Sequence, residues 1–230
     1  MSPTSHVRVH APHEVDEKVV GEARWPMAAA VLATMAVTLL LPETLRAGPR
    51  LLLPAVEGAL LVALILGDPG RIDRRSARLR TLSVVLVAVL VASALVATGR
   101  LVDELIHGGA ETDNASDLLA AGALTWTATI LSFSLLYWEL DAGGPAARAH
   151  GLPRYPDLSF PQQLDPALAP ADWRPRYVDY LYLAFTDATA LSPTDVMPLV
   201  PWAKIAMAVQ SLISLGILGL VIARAVNVLK

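Results

Sequence analysis

Long apolar runs separated by short polar connections make up most of the chain, and this pattern predicts an all-α membrane protein. A helix needs about 20 mainly apolar residues to cross the roughly 30 Å hydrocarbon layer of a bilayer. The clear runs are Trp25 to Leu41, Leu51 to Gly67, Thr81 to Gly99, Leu118 to Trp138 and Ile205 to Ala223. All but the second, which carries Glu57, are free of charged side chains. The sequence therefore predicts a polytopic bundle of transmembrane helices.

One further segment, Arg176 to Leu191, fits two descriptions. It is long enough to cross a bilayer at a tilt and would then be a sixth span. It also carries Asp179 and Asp187, which would suit a pore helix that enters the membrane and returns to the same side, leaving five spans.

Basic residues favour six spans, because short cytoplasmic loops hold an excess of Lys and Arg. With six spans and the N-terminus inside, 14 of the 18 basic residues face the cytoplasm. The outer loop from Asp103 to Asp117 is then purely acidic. Five spans would place Arg224 and Lys230 outside, where they fit poorly. We therefore favour a multi-pass protein of the bacterial inner membrane, with both ends cytoplasmic.

Composition excludes several classes of protein. The chain is 54% apolar and only 17% charged, so a single water-soluble globule is not expected. It has no cysteine, which excludes disulfides and thiol chemistry, and its net charge of -3 argues against a basic nucleic-acid binder. No nucleotide-binding, metalloprotease or serine-hydrolase motif occurs. We expect no enzyme and no cofactor, and the lipid bilayer is the expected partner.

The predicted organisation has four parts. Residues 1–24 form a cytoplasmic tail, 25–141 four transmembrane helices, 142–175 a Pro-rich loop and 176–230 a C-terminal helical hairpin. Seven prolines forbid a continuous helix in the loop. Its aromatic residues, Tyr155, Phe160 and Trp173, suggest a partly ordered cap against the bundle.

A metal site in the tail is not expected. The spacing of His6, His10 and His13 would suit metal ligands on a helix, but Pro12 interrupts the segment.

Polar residues form a stripe on each of the last three predicted spans when 100° is allowed per residue. The fourth span has Thr125, Thr129, Ser132 and Glu139, the fifth Asp179, Thr186 and, about 80° away, Asp187, and the sixth Gln210, Ser214 and Arg224. The first three spans offer little beyond Glu57. The stripes are expected to face one another, away from lipid.

Two interpretations of these stripes remain open. Hydroxyl and amide side chains can join helices by hydrogen bonds worth about 1 kcal/mol or less each. An ionised Asp in mid-bilayer costs roughly 2.5 to 3.5 kcal/mol and marks a transport path, a relay or a paired charge. Asp187 could be functional, paired with an Arg or a backbone end, or exposed at the interface. The candidate path residues are Glu57, Asp179, Thr186, Asp187, Asp195, Gln210 and Ser214.

The chain from about residue 25 onward, and most densely after Tyr137, resembles an uncharacterised bacterial multi-pass membrane protein family. The segments that carry the resemblance are YWELDAGGPAAR (Tyr137 to Arg148), LSFPQQ (Leu158 to Gln163) and YVDYLYLAFTDATALSPTDVMPL (Tyr177 to Leu199). It implies a membrane bundle but no settled activity.

A fainter likeness links Tyr177 to Leu229 with the two-helix pore module of potassium channels, and places Ala190 to Thr194 at the filter. No glycine occurs from Tyr180 to Leu199, so a potassium-selective carbonyl filter is not expected.

Two functional hypotheses follow. The first is a channel-like or transport protein for an inorganic cation or a proton, with Asp187 and Glu57 on the route. The alternative is a non-conducting membrane scaffold whose Pro-rich loop binds a partner. A homo-oligomer fits either hypothesis, because three polar-faced helices enclose little volume.

Overall fold

The computed structural model describes residues 21–72, 76–108, 114–151, 155–165, 167–170, 173–189 and 195–228. The tail histidines considered as metal ligands lie outside these residues, as does the segment 190–194 at the filter-like position.

The protein is all-helical, as predicted, apart from two very short antiparallel sheets. Its helices are α1 Trp25–Leu40, α2 Leu52–Gly67, α3 Ala77–His107, α4 Ala115–Leu140, α5 Pro145–Ala149, α6 Pro161–Leu164, α7 Tyr177–Thr189 and α8 Pro201–Val228. A 3-10 turn covers Asp141–Gly143. The strands are β1 Glu22–Ala23, β2 Arg71–Ile72, β3 Leu158–Ser159 and β4 Met197–Pro198, paired β1 with β2 and β3 with β4.

Three of the helices, α3, α4 and α8, are long and apolar enough to cross a membrane. Helices α1 and α2 are apolar but have 16 residues each, which corresponds to about 24 Å. The lengths of α3, α4 and α8 are compatible with membrane insertion. Helix α7 has 13 residues, about 20 Å, and is shorter than the hydrocarbon layer is thick.

Helix boundaries follow local chemistry. Asn114 caps α4, its side chain accepting from the backbone N–H of Ser116 at 2.9 Å. Pro201 opens α8, where its missing N–H costs nothing. Helix α1 stops at Leu40, just before Pro42, which cannot continue a helix.

One end of the bundle, which we call the cap end, joins the starts of α1 and α3 to the ends of α2 and α4. Pairing of β1 with β2 holds the start of α1 against the segment that follows α2. Arg24 adds an ion pair to Asp68, with Nη2 and Oδ2 3.1 Å apart. Arg80 of α3 pairs with Glu139 of α4.

Much of the Pro-rich loop folds over the cap end. Asp141 Oδ1 accepts from the backbone N–H groups of Asp157 and Leu158, at 2.9 and 3.0 Å. Arg148 donates to the carbonyls of Trp138 and Asp141, both at 2.8 Å, so its charge is buried within backbone dipoles.

Two of the three loop aromatics, Phe160 and Trp173, pack against the protein, whereas Tyr155 is 70% exposed. The ring of Phe160 lies 5.9 Å from that of Trp173 and 5.3 Å from that of Tyr180. The described parts of the loop are therefore held against the bundle by apolar as well as polar contacts.

The other end of the bundle, which we call the far end, is closed by an apolar cluster. It brings together the end of α1, the end of α3, the start of α4 and the end of α8. Its buried members are Leu41, Leu45, Ala97, Leu101, Leu105, Leu118, Ala121, Ile217 and Val221. Helix α8 therefore ends at the far end.

Helices α7 and α8 both begin at the cap end. Tyr180, in the first turn of α7, donates to Asp141 Oδ2 at 2.5 Å. Just before α8, the N–H of Leu199 donates to the carbonyl of Asp157 at 2.9 Å, and β4 pairs with β3. The two helices then run parallel, since Gln210 bonds to Ala184 and Ser211 to Asp187.

This direction does not fit six alternating spans, which would require α7 and α8 to be antiparallel. The predicted sixth crossing is therefore not confirmed. The described chain begins at the cap end with Gly21 and finishes α8 at the far end, so the placement of both ends on one side is not confirmed either. The structure departs from the prediction because hydrogen bonds hold β4 and Leu199 at the cap end.

Candidate functional site

The face that α8 turns to the bundle is apolar except near its middle. Its buried positions recur every three or four residues, as expected of a helix packed on one side. They are Ala203, Met207, Gln210, Ser214, Ile217 and Val221. Gln210 and Ser214 thus lie in an otherwise apolar seam against α4 and α7, and they define the site described below.

Gln210 joins three helices. Its side-chain oxygen accepts from the hydroxyl of Tyr137 on α4 at 2.7 Å. Its amide nitrogen donates to the carbonyl of Ala184 on α7, also at 2.7 Å. All its surface is buried, so these two bonds replace water on both ends of the amide. Gln210 therefore fixes the depth of α7 relative to α4 and α8.

Asp187 lies one turn after Ala184 on α7, beside Gln210. Only 4% of the residue is exposed. Its Oδ1 accepts from Ser211 at 2.9 Å, whereas Oδ2 is buried and has no hydrogen-bond partner. No basic side chain in the described ranges forms an ion pair with it. A buried carboxylate with one oxygen unsatisfied is a costly polar group.

Two hydroxyls on the helices that pack against α7, those of Ser214 on α8 and Thr125 on α4, are also buried without a partner. With Oδ2 of Asp187, they place one unsatisfied oxygen on each of α8, α4 and α7. Buried polar atoms are normally satisfied, so such a group of exceptions needs a reason, such as an ion, a water or a function. We call Tyr137, Asp187, Gln210, Ser211 and Ser214 the polar layer.

Hydroxyl side chains elsewhere on α4 have structural roles. Ser132 donates to the carbonyl of Leu90 on α3 at 3.2 Å and so joins two helices. Thr129 donates to the carbonyl of Thr125 within its own helix, at 3.0 Å. The interpretation of hydroxyls as links between helices thus applies to Ser132.

Glu57 lies apart from the polar layer. It is fully buried on α2, which packs against α1 and α3, and both its carboxyl oxygens lack a hydrogen-bond partner. Its helical face continues with the apolar Leu61 and Leu64. No hydrogen bond of the described chain connects it to Asp187, so the two predicted path acids are not brought together by direct contact.

Three other predicted residues point elsewhere. Asp179 accepts from the N–H of Arg176 at 2.7 Å and so caps the start of α7. Thr186 donates back to the carbonyls of Tyr182 and Leu183 in its own helix, at 2.9 and 3.0 Å. Asp195 is exposed, just before β4 at the cap end. Of the seven predicted residues, the structure therefore groups Asp187, Gln210 and Ser214.

Sequence reasoning missed two members of the polar layer. Tyr137 lies at the end of the fourth apolar run and was not among the candidate residues, but it is fully buried and donates to Gln210. Ser211 follows Gln210 and lies off the predicted stripe, yet it is the partner of Asp187. The available signal for Tyr137 was its hydroxyl, because a buried Tyr O–H usually finds an acceptor.

A search of protein-family models, curated proteins and solved structures finds no match to this chain. The resemblance to an uncharacterised membrane protein family stays a prediction.

Proposed function

We propose that this is a channel-like membrane protein that passes an inorganic cation or a proton, with α7 as a re-entrant helix and the polar layer on the route. Helices α1, α2, α3, α4 and α8 are the five crossings in this proposal. Helix α7 enters at the cap end, and the chain returns there at β4. The observation that carries the proposal is Asp187 Oδ2, a buried acidic oxygen with no partner.

The re-entrant arrangement draws on the parallel directions of α7 and α8. Asp187 lies ten residues after Tyr177, about 15 Å into the bundle, near the middle of a 30 Å hydrocarbon layer. An acid at such depth is costly and usually faces the interior of a bundle or a water-filled cavity.

Basic residues do not oppose this topology. Turning α7 back moves Lys204 to the arginine-rich side, and moves Arg224 and Lys230 away from it. Thirteen of the 18 basic residues then share one side, against fourteen with six spans. The positive-inside rule still places the cap end in the cytoplasm, and the C-terminus would be outside.

Several copies of the chain would complete the site. One face of α7 is exposed, with exposed fractions of 62% at Val178, 61% at Tyr182 and 47% at Phe185. A helix that ends within the membrane needs protein around its last carbonyl groups. Copies packed through this face would enclose α7, which one copy leaves uncovered.

Asp187 supplies the chemistry expected of a cation route. Its unsatisfied oxygen can attract a cation or carry a proton, and the neighbouring hydroxyl and amide groups can replace part of a hydration shell. No arginine or lysine in the described chain neutralises it by an ion pair.

Flux into liposomes tests this function. Purified protein in vesicles should pass protons or alkali cations faster than empty vesicles. Asp187→Asn should reduce the flux about tenfold or more, because it removes the charge and keeps the shape. Asp179→Asn is the matched control on the same helix and should keep most of the flux. Equal flux in Asp187→Asn, or none above empty vesicles under any gradient, would contradict the proposal.

A membrane scaffold is the second candidate, favoured by two exposed leucines on the loop. Leu164 and Leu168 are 60% and 61% exposed, although Phe160 nearby in the loop is buried. A scaffold would co-purify with a partner protein, and the double variant Leu164→Glu, Leu168→Glu would lose that partner. Neither the parent nor the variant would show flux. A solitary protein in mild detergent would count against it.

A further inference from the structure

A cavity of about 610 Å³ opens at the cap end, among the start of α1, the end of α2, the start of α3 and helix α5. Its size is within the range of small-molecule sites. One part of its wall is apolar, and the other carries two guanidinium groups with hydroxyl and carboxyl neighbours. The apolar part includes Met27, Leu64, Ile72 and Leu79, and the polar part Arg24, Ser76, Arg80, Ser83 and Glu139.

Arg24 lines this cavity, and not all of its N–H groups have a hydrogen-bond partner. Its side chain is only 8% exposed and is paired through Nη2 with Asp68. Its Nε is buried and has no hydrogen-bond partner. Burial lowers the pKa of Arg24, and the opposing effect of Asp68 does not fully offset it. An anion in the cavity would stabilise this guanidinium charge beyond its pairing with Asp68.

Arg80 brings a second guanidinium to the same cavity from α3. Its Nη1 contacts both the carbonyl and the carboxylate of Glu139. Ser83 donates to the other oxygen of that carboxylate at 2.6 Å, which leaves Glu139 satisfied without further help. An Arg has five N–H donors in a planar fork, so Arg80 keeps donors for a second anion.

The position of the cavity favours a lipid. Trp25, next to Arg24, is 73% exposed, and exposed Trp residues at helix ends lie at the headgroup level of a bilayer. Apart from Ile72 of β2, the apolar wall belongs to α1, α2 and α3, the helices that would enter the hydrocarbon region. A phosphate group near Arg24 and Arg80 could therefore have its acyl chains beside Met27 and Leu79.

We propose that this cavity binds the phosphate group of a membrane phospholipid, held between Arg24 and Arg80. The ligand chemistry is a phosphate ester with an apolar tail. Basic pockets between transmembrane helices on the cytoplasmic side are suited to such headgroups. The proposal is independent of conduction, because it involves no residue of the polar layer.

Retention of lipid by the purified protein tests the proposal. Full-length protein in mild detergent is titrated with phosphatidylglycerol or phosphatidylethanolamine, and bound lipid is counted by native mass spectrometry. The double variant Arg24→Gln, Arg80→Gln should bind about tenfold more weakly, since it loses charge-assisted hydrogen bonds. Ala146→Phe fills the cavity while keeping both ion pairs, and should also lose the lipid.

Arg46→Gln is the matched control. Arg46 is a mostly buried arginine at the far end, 10% exposed in its side chain and bonded to the carbonyl of Leu41. Its variant should retain lipid as the parent does. Equal lipid binding in the parent, the double variant and Ala146→Phe would overturn the proposal, as would equal loss in Arg46→Gln.

Inorganic phosphate distinguishes the two sources of the anion. Phosphate alone should raise the melting temperature of the parent far less than the phospholipids do. A full phosphate effect that disappears in the double variant would support anion binding and assign the site to a soluble phosphate group instead of a lipid. No Arg-dependent effect of either probe would overturn both assignments.

Discussion

Asp141 at the cap end and Asp187 in the polar layer are buried to nearly the same extent, with exposed fractions of 1% and 4%. Their surroundings differ. Asp141 accepts two backbone N–H groups on one oxygen and the Tyr180 hydroxyl on the other. Asp187 accepts from Ser211 on one oxygen and has no partner on the other.

This difference separates a structural acid from a functional candidate. A buried carboxylate whose oxygens are all satisfied stabilises the parts that it joins, and its loss leaves several donors unpaired. A half-satisfied carboxylate contributes little to stability, so its presence needs another reason.

Removing the structural acid should have the largest effect. Asp141→Ala leaves the N–H groups of Asp157 and Leu158 and the hydroxyl of Tyr180 without an acceptor. We expect a loss of about 3 kcal/mol or more in the free energy of unfolding, or failure to fold. Thermal unfolding in detergent, followed by circular dichroism, measures it. Asp165→Ala, at an exposed acid in the same loop, should change little; equal effects would remove the distinction.

Gln210 should come next, because it joins α4, α7 and α8. Gln210→Leu leaves the Tyr137 hydroxyl buried without its acceptor and the Ala184 carbonyl with only its helical partner, which should cost about 1–3 kcal/mol. Leu212→Ala on the exposed face of α8 is the control. A melting temperature no lower for Gln210→Leu than for this control would show that the amide does not hold α7 in place.

Asp187→Asn should leave stability unchanged or raise it by up to about 1 kcal/mol. The Asn side-chain oxygen can still accept from Ser211, and an unpaired buried charge is lost. Asp141→Asn should instead lower the melting temperature in the same assay. A fall for Asp187→Asn as large as that for Asp141→Asn would mean that Asp187 is structural, and would weaken the case for a route.

The smallest effects should come from the unpartnered hydroxyls. Ser214→Ala removes a buried oxygen that bonds to nothing, so the change should stay within about 0.5 kcal/mol. Ser132→Ala, which loses the bond to the Leu90 carbonyl, should cost about 1 kcal/mol. Melting temperatures of the two variants, measured side by side, compare them. A larger loss for Ser214→Ala would indicate that this hydroxyl has a partner in the folded protein.

The positions of the main helices could be predicted from apolar runs alone. The run Trp25 to Leu41 became α1, and the ambiguous segment from Arg176 became α7. Hydrophobic length is a local property, so it can be detected without knowledge of the fold. The direction of α7 could not be predicted in this way, because it depends on contacts of Asp141 and Asp157 with distant parts of the chain. The number of basic residues on the arginine-rich side differs by only one between the two topologies.

The polar layer was predictable in part. Gln210 and Ser214 share a helical face, and Asp187 is an acid within an apolar run. Pattern and charge were therefore sufficient to select these three residues as candidates. Glu57 is also an acid within an apolar run, but its helix α2 packs against α1 and α3, apart from the polar layer. Tyr137 and Ser211 were missed because each became a partner only through helix packing, that of α4 on α8 for Tyr137 and that of α7 on α8 for Ser211.

The side of the membrane on which Asp195 lies tests the central claim most directly. The native chain lacks cysteine, so single variants Ser76→Cys, Glu43→Cys and Asp195→Cys can be labelled with an impermeant thiol reagent in intact cells and in inverted vesicles. A re-entrant α7 predicts that residue 195 is labelled from the same side as residue 76 and opposite to residue 43. Labelling of residue 195 from the side of residue 43 would mean that α7 crosses the membrane, and would contradict the account.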